Sequence, residues 1–219
     1  MYGAIIHAPG DVRYEERPDP TILETTDAII RTTAACVCGS DLWRYRGLQP
    51  VTSPVPIGHE YCGVVTAVGG DVTSVAVGDF VVGGFTVSDN TCPLCRKGAT
   101  ASCPSGGLHG AHYEGCQAEQ ILVPLADGTL VKTPSMPDDD LIPSLLTLSD
   151  VMCTGWHAAV SAGVGPGSSV AVVGDGAVGL CGVIAAAQLG ATTIIAMSRH
   201  ADRQEVAREF GATHIVAER

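Results

Sequence analysis

The chain has 219 residues, 46% of them hydrophobic, which is enough for two ordinary domains with real cores. Its formal charge is −11, with the acids scattered rather than gathered in a block, so the mean field repels a phosphate backbone or an anionic bilayer. Nucleic acid and membrane are thereby excluded as expected partners.

In chain order, the first ten residues lack a basic segment followed by an apolar one, and Asp150 interrupts the most apolar stretch, residues 141–164. Neither a secretion signal nor a spanning helix is expected, and the cytoplasm is the expected compartment. From Met1 to about Pro134, short apolar runs separated by single glycines and prolines predict strands over residues 3–7, 28–35, 63–68, 79–82 and 117–123, a barrel-like β domain. After Met136, Pro137 and three aspartates open a helical segment carrying Leu141, Leu145, Leu146 and Leu148.

A different pattern begins at Ser168. The apolar run 169–173 predicts a buried parallel strand, the glycine turn 174–179 follows, and residues 178–189 predict a helix ended by Gly190. A strand over 192–197, a helix over 202–210 stopped by Gly211, and a strand over 213–216 complete the opening β-α-β-α-β of a doubly wound sheet. The expected fold class is α/β: a β-barrel domain over 1–149, then the first part of a dinucleotide-binding domain over 150–219. Such a domain needs further strands, so the sequence reads as part of a longer chain.

Nine cysteines is an odd number, and several stand in close local spacings. That is the pattern of metal ligation or burial in a reducing compartment rather than of a disulfide framework. Cys38-Gly39-Ser40-Asp41 falls in a turn after a strand, and Gly58-His59-Glu60 opens the next strand. Thiolate and imidazole suit zinc, and a catalytic zinc takes three protein ligands with one position left open; Asp150 is the candidate third. Asp89, Cys92, Cys95 and Cys103 form a second group, in which three close cysteines signal metal. Gly174-Asp175-Gly176-Ala177-Val178-Gly179 is a GxGxxG between a strand and a helix, where Gly174, Gly176 and Gly179 would let the backbone approach a pyrophosphate at the helix N-terminus. At the end of the second strand, where an acid would bind the ribose 2′-hydroxyl of NAD, the chain has Ser198, followed by Arg199, His200 and Arg203. Those residues can donate to a 2′-phosphate, so NADP is expected over NAD; Ser198 can also serve as a helix N-cap.

Through the motifs at residues 38–41 and 58–60, and through Asp150-x3-Thr154-Gly155, the sequence resembles the zinc-dependent medium-chain alcohol dehydrogenases over essentially its whole length. The resemblance implies a GroES-like catalytic domain followed by a Rossmann sheet. It implies that Cys38, His59 and Asp150 ligate a catalytic zinc, with Glu60 as a fourth or transient ligand and Asp41 accepting a hydrogen bond from His59. Ser40 would touch the alcohol oxygen and pass its proton outward, Thr154 and Val178 would lie at the nicotinamide, and hydride would pass between an alcohol and the nicotinamide. The family's structural zinc lobe uses four cysteines at the spacing of residues 89–103, so Asp89 stands in the first cysteine's place. Where some members carry a relay histidine this chain has Trp43, whose indole cannot shuttle a proton; it would shape the substrate pocket or pack the loop.

Cys36, Cys62, Cys116, Cys153 and Cys181 are read as packing residues. His109 or His112 could line the cleft, His157 has no spacing that assigns it, and His7 and His214 are read as strand residues. The expected activity is that of a zinc-dependent alcohol dehydrogenase acting on a small-molecule alcohol or carbonyl, in a homo-oligomer of two or four copies. A formaldehyde-dismutase-like or sorbitol/threonine-type dehydrogenase would use the same motifs. A non-catalytic nucleotide-binding relative would be expected to have lost Cys38, Ser40 or His59, all of which are present.

Overall fold

The computed structural model describes residues 1–218, and the chain divides into two compact units, Met1–Ser149 and Asp150–Arg219. In the first unit, β1 (Tyr2–Ala8) and β2 (Asp11–Glu16) make a hairpin, and β3 (Ala28–Cys36) leads into the short helix α1 (Asp41–Tyr45). Next come β4 (Val55–Pro56), β5 (Glu60–Val68), β6 (Phe80–Gly83), β7 (Thr86–Val87), β8 (Gly107–Leu108) and β9 (Gln120–Val123). The unit closes with α2 (Ala126–Thr129), β10 (Leu130–Lys132) and α3 (Ile142–Thr147). Hydrogen bonding gives an antiparallel sheet of order β10-β6-β5-β3-β9, a second of order β2-β1-β4, and the small β7-β8 pair. An isolated bridge from Gly3 to Ala118 links the two larger sheets into a barrel-like wrap.

The period-two geometry of a strand accounts for the core. Ala28 and Ile30 of β3, Tyr61 and Val65 of β5, and Ile121 and Val123 of β9 point to one side and are buried together. Cys62, Phe80 and Val82 point to the other side of β5 and β6, where Ile142, Leu145 and Leu146 of α3 cover them. The central strands are thus buried on both faces, which is why their sequences read as nearly continuous apolar runs.

The helical segment expected after Pro137 is shorter than its leucines suggest. A 3-10 turn over Asp139–Leu141 precedes α3, and Leu141 and Leu148 remain exposed. The reason lies at Ser149, whose hydroxyl donates to the Gly83 carbonyl at 2.5 Å and accepts from the Tyr61 amide at 3.0 Å. Those bonds to the sheet pull the chain out of the helix.

The second unit runs α4 (Val151–Ser161), β11 (Ser169–Val173), α5 (Ala177–Gln188), β12 (Thr193–Met197), α6 (Ala201–Glu209) and β13 (His214–Val216). Its three strands are parallel in the order β11-β12-β13. Val183 and Ala186 of α5, Ile194 and Ala196 of β12 and Ala207 of α6 form its core. β11 departs from the expected full burial: alternate residues are exposed, Val173 by 67%. Among the described residues β12 is its hydrogen-bonded neighbour, and the alternation is that of a strand whose Val170 and Val172 pack on the core of this unit. Among the described residues no helix is long and apolar enough to cross a membrane.

Candidate functional site

Cys38 and His59 are distant in sequence but leave adjacent strand ends. β3 and β5 pair antiparallel with Cys36 opposite Glu60, so the loop that follows β3 begins where β5 starts. Gly58 has φ +94°, and a Cβ there would come within 2.5 Å of the Gln117 side chain and 2.9 Å of its amide nitrogen. Only glycine fits this approach without displacing the neighbouring loop. Asp150 follows Ser149, which is bonded to the residue next to Glu60.

Cys38, His59, Glu60 and Asp150 each offer one ligand atom, and these four atoms lie within 4.8 Å of one another. Glu60 and Asp150 are buried. A thiol and two carboxylates so close together are an anionic set that suits a cation, and the S/N/O donors fit zinc better than calcium or magnesium. Tetrahedral zinc at the usual bond lengths needs neighbouring ligand atoms about 3.3–3.8 Å apart, a separation that small side-chain rotations reach in a cluster of this size.

Asp41 holds the surroundings of this group. One of its carboxylate oxygens accepts from the Cys38 amide at 3.0 Å, and the other faces Nδ1 of His59 at 3.4 Å. The Gln117 side chain donates to the Cys36 carbonyl at 3.2 Å and reaches Asp41 at 3.4 Å. Thr154 donates from Oγ1 to Asp150 at 2.7 Å. Ser40 is exposed at the N-cap of α1, two residues from Cys38, and Trp43 is 59% exposed on the same helix, so packing does not bury its indole. Sequence reasoning missed Ser149 and Gln117, because a lone serine and a lone glutamine carry no motif.

The second group also assembles. One ligand atom each from Asp89, Cys92, Cys95 and Cys103 lies within 4.8 Å of the others. The amides of Cys92 and Thr91 donate to Asp89 at 2.9 and 2.8 Å and hold its carboxyl well below the usual carboxylate range. The Cys95 amide donates to the Cys92 sulfur at 3.4 Å and lowers that thiol's pKa. The donor set fits zinc, with one carboxylate in place of a thiolate.

Other expectations are redrawn. His109 is 2% exposed against Tyr61, its ring centroid 5.4 Å away, and is a core residue rather than a wall of an open cleft. His112 is exposed and accepts from the Leu108 amide at 3.1 Å. Cys62, Cys116 and Cys181 are buried as expected, but Cys36 and Cys153 are exposed. Cys36 ends β3 where the chain turns away from the sheet, and Cys153 lies in the first turn of α4.

The glycine turn occupies the space between β11 and α5. Gly174 has φ +118°, Gly176 is the N-cap of α5, and a Cβ on Gly179 would meet the Gly174 carbonyl oxygen at 2.2 Å. Val178 is exposed on the first turn of α5. Across the turn from the end of β12, Asp175 accepts from Ser198 Oγ at 2.9 Å and from Arg203 Nη1 at 3.1 Å. The Ser198 hydrogen bond is the main cause holding the Asp175 carboxyl below its ordinary value. Ser198 is not the helix cap: His200 is the N-cap of α6, and its amide donates to Ser198 Oγ at 3.3 Å. The available signal was an acid inside the GxGxxG turn.

A barrel-like antiparallel unit that carries candidate metal ligands, joined to a parallel β-α-β-α-β unit, defines the class. Residues 24–135 match the family described as the alcohol dehydrogenase GroES-like domain, and the chain belongs to that family. It is 36% identical over 219 residues to the zinc-type alcohol dehydrogenase B of Aspergillus flavus, covering 97% of this chain and 50% of that protein. It is 38% identical over 217 residues to a probable zinc-binding alcohol dehydrogenase of Mycobacterium tuberculosis, covering 98% and 56%. The structure of alcohol dehydrogenase TADH from Thermus sp. ATN1 superposes with a TM-score of 0.91 at 33% identity, covering 99% of this chain and 63% of that one. The chain thus spans about half the length of those two curated relatives.

Proposed function

We propose that the protein is a zinc-dependent oxidoreductase that transfers hydride between a small-molecule alcohol, or its aldehyde or ketone, and a nicotinamide cofactor. The observation that carries this reading is the convergence of Cys38, His59, Glu60 and Asp150 within 4.8 Å. It is supported by membership of a family whose relatives are named zinc-type alcohol dehydrogenases.

Zinc held there supplies Lewis-acid chemistry that makes an alcohol proton easier to remove. Cys38, His59 and Asp150 would hold it, with Glu60 close enough to replace a departing ligand. Asp41 orients His59 and braces the Cys38 amide. Exposed Ser40 would accept a hydrogen bond from the alcohol and pass the proton outward to water or the cofactor ribose, since Trp43 offers no relay. Residues Asp89, Cys92, Cys95 and Cys103 would hold a second, structural zinc that pins their loop. In this proposal Met1–Ser149 is the catalytic zinc domain, and residues 150–219 begin a Rossmann domain. Its backbone turn at Gly174, Gly176 and Gly179 would receive the pyrophosphate, with Thr154 and Val178 at the nicotinamide.

Arg199 and Arg203 beside Ser198 support NADP as the preferred cofactor. Nine cysteines in close local spacings rather than a disulfide framework suit a reducing compartment and a cytoplasmic protein. A homo-oligomer of two or four copies completes the proposal.

The test is Cys38→Ala. It should lose one zinc per chain, retain its circular dichroism spectrum, and reduce cofactor with alcohol about 100-fold or more slowly. Undiminished turnover with the ion absent would overturn the proposal.

A further inference from the structure

Of the residues expected to receive a 2′-phosphate, two are already engaged by a carboxylate inside the protein. Ser198 is 2% exposed, and its Oγ lies 2.9 Å from Asp175 Oδ2 and 3.2 Å from the His200 carbonyl. The hydroxyl has one proton to give, and the ionised carboxylate is the stronger acceptor. Arg203 spends Nη1 on the other Asp175 oxygen at 3.1 Å. Asp175 itself is 12% exposed, rooted in the glycine turn, and less free to move than Arg203 at 47%. The end of β12 therefore carries a fixed negative charge among its positive ones, and Arg199 is the exposed cation next in sequence.

We infer that Asp175 is a specificity-determining residue of the coenzyme site, one that holds down affinity for a 2′-phosphorylated nucleotide. The inference rests on the dinucleotide reading of this turn. A 2′-phosphate that reaches Ser198 and Arg203 must draw both donors away from Asp175 and lie beside a like charge, which at ångström separations near a protein surface is strongly unfavourable. A 2′-hydroxyl meets no such repulsion and can donate to the same carboxylate. Asp175 thus narrows the margin by which the arginines favour NADP.

The experiment is direct binding by calorimetry to the whole protein, using adenosine 2′,5′-bisphosphate against 5′-AMP, and NADP against NAD. Asp175→Asn keeps an oxygen for Ser198 while removing the charge. It should bind the two 2′-phosphorylated probes about tenfold or more tightly than the parent, whereas 5′-AMP and NAD, whose 2′-hydroxyl loses a charged acceptor, should not tighten. Asp175→Ala provides the same readout if the amide disturbs the turn. Retained binding with an unchanged ratio in both variants overturns this inference alone, as does equal weakening of all four probes, which would make Asp175 a strut of the turn. Failure of the parent protein to bind any of the four overturns the dinucleotide reading and this inference together.

Discussion

At the scale of single residues, His109 is the titratable group whose surroundings make the clearest demand. Burial lowers its pKa from 6.5 to about 4, opposed by the Glu114 carbonyl. The native protein therefore refuses a proton that the unfolded chain accepts below pH 6.5. Stability is full above that value and is lost as pH falls toward 4, by up to about 3 kcal/mol. Urea unfolding at pH 7, 5.5 and 4.5 should show the decline, and His109→Phe should flatten it relative to the parent. An equally steep decline in the variant would assign the effect to other groups. Nothing in the sequence around His109 marked it as buried, because its cover comes from Tyr61 on a strand far back in the chain. The pairing of Cys38 with His59 was legible because each carries a local motif; the bracing of Asp41 by Gln117 was not, because it joins loops whose proximity depends on tertiary structure.

At the scale of elements, the strand-turn-helix around residues 169–188 is the most exacting piece. The backbone carbonyl of Gly174 lies 2.2 Å from where a Cβ of residue 179 would be, so Gly179→Ala must force β11 and α5 apart. That overpacking should cost about 1–3 kcal/mol. Dinucleotide affinity should fall at least tenfold by fluorescence titration, while the metal content stays that of the parent; unchanged affinity would mean that the turn is not where the pyrophosphate docks. The elements from β11 onward were readable because each helix there ends at a glycine and each strand is a run of apolar or β-branched residues. Residues 137–148 were less so: four leucines at helical spacing cannot reveal that Ser149 will bond to the sheet and end α3 early. The same limit hid Asp175, since the meeting of turn and strand end is decided by parallel pairing, not by neighbours in sequence.

At the scale of the whole molecule, each unit has its own apolar cluster, and of the proposed metal ligands all but Asp150 belong to Met1–Ser149. Stripping the zinc-loaded protein with a chelator should accordingly lower a thermal transition of the first unit by about 5 °C or more, because an ion bound to the native state adds its binding free energy to stability. Calorimetry with and without chelator is the measurement; a transition that does not move would deny both groups a structural ion. Composition and spacing bore on the broad class at this scale, through an apolar fraction of 46% and thiols grouped in short spacings. It carried no information on which alcohol is bound, since a substrate pocket is lined by residues scattered along the chain.

The three sulfurs gathered at Cys92, Cys95 and Cys103 have a redox consequence. Without an ion to hold, thiols this close pair with one another under air, so material stripped by a chelator needs a reductant before it can be reloaded.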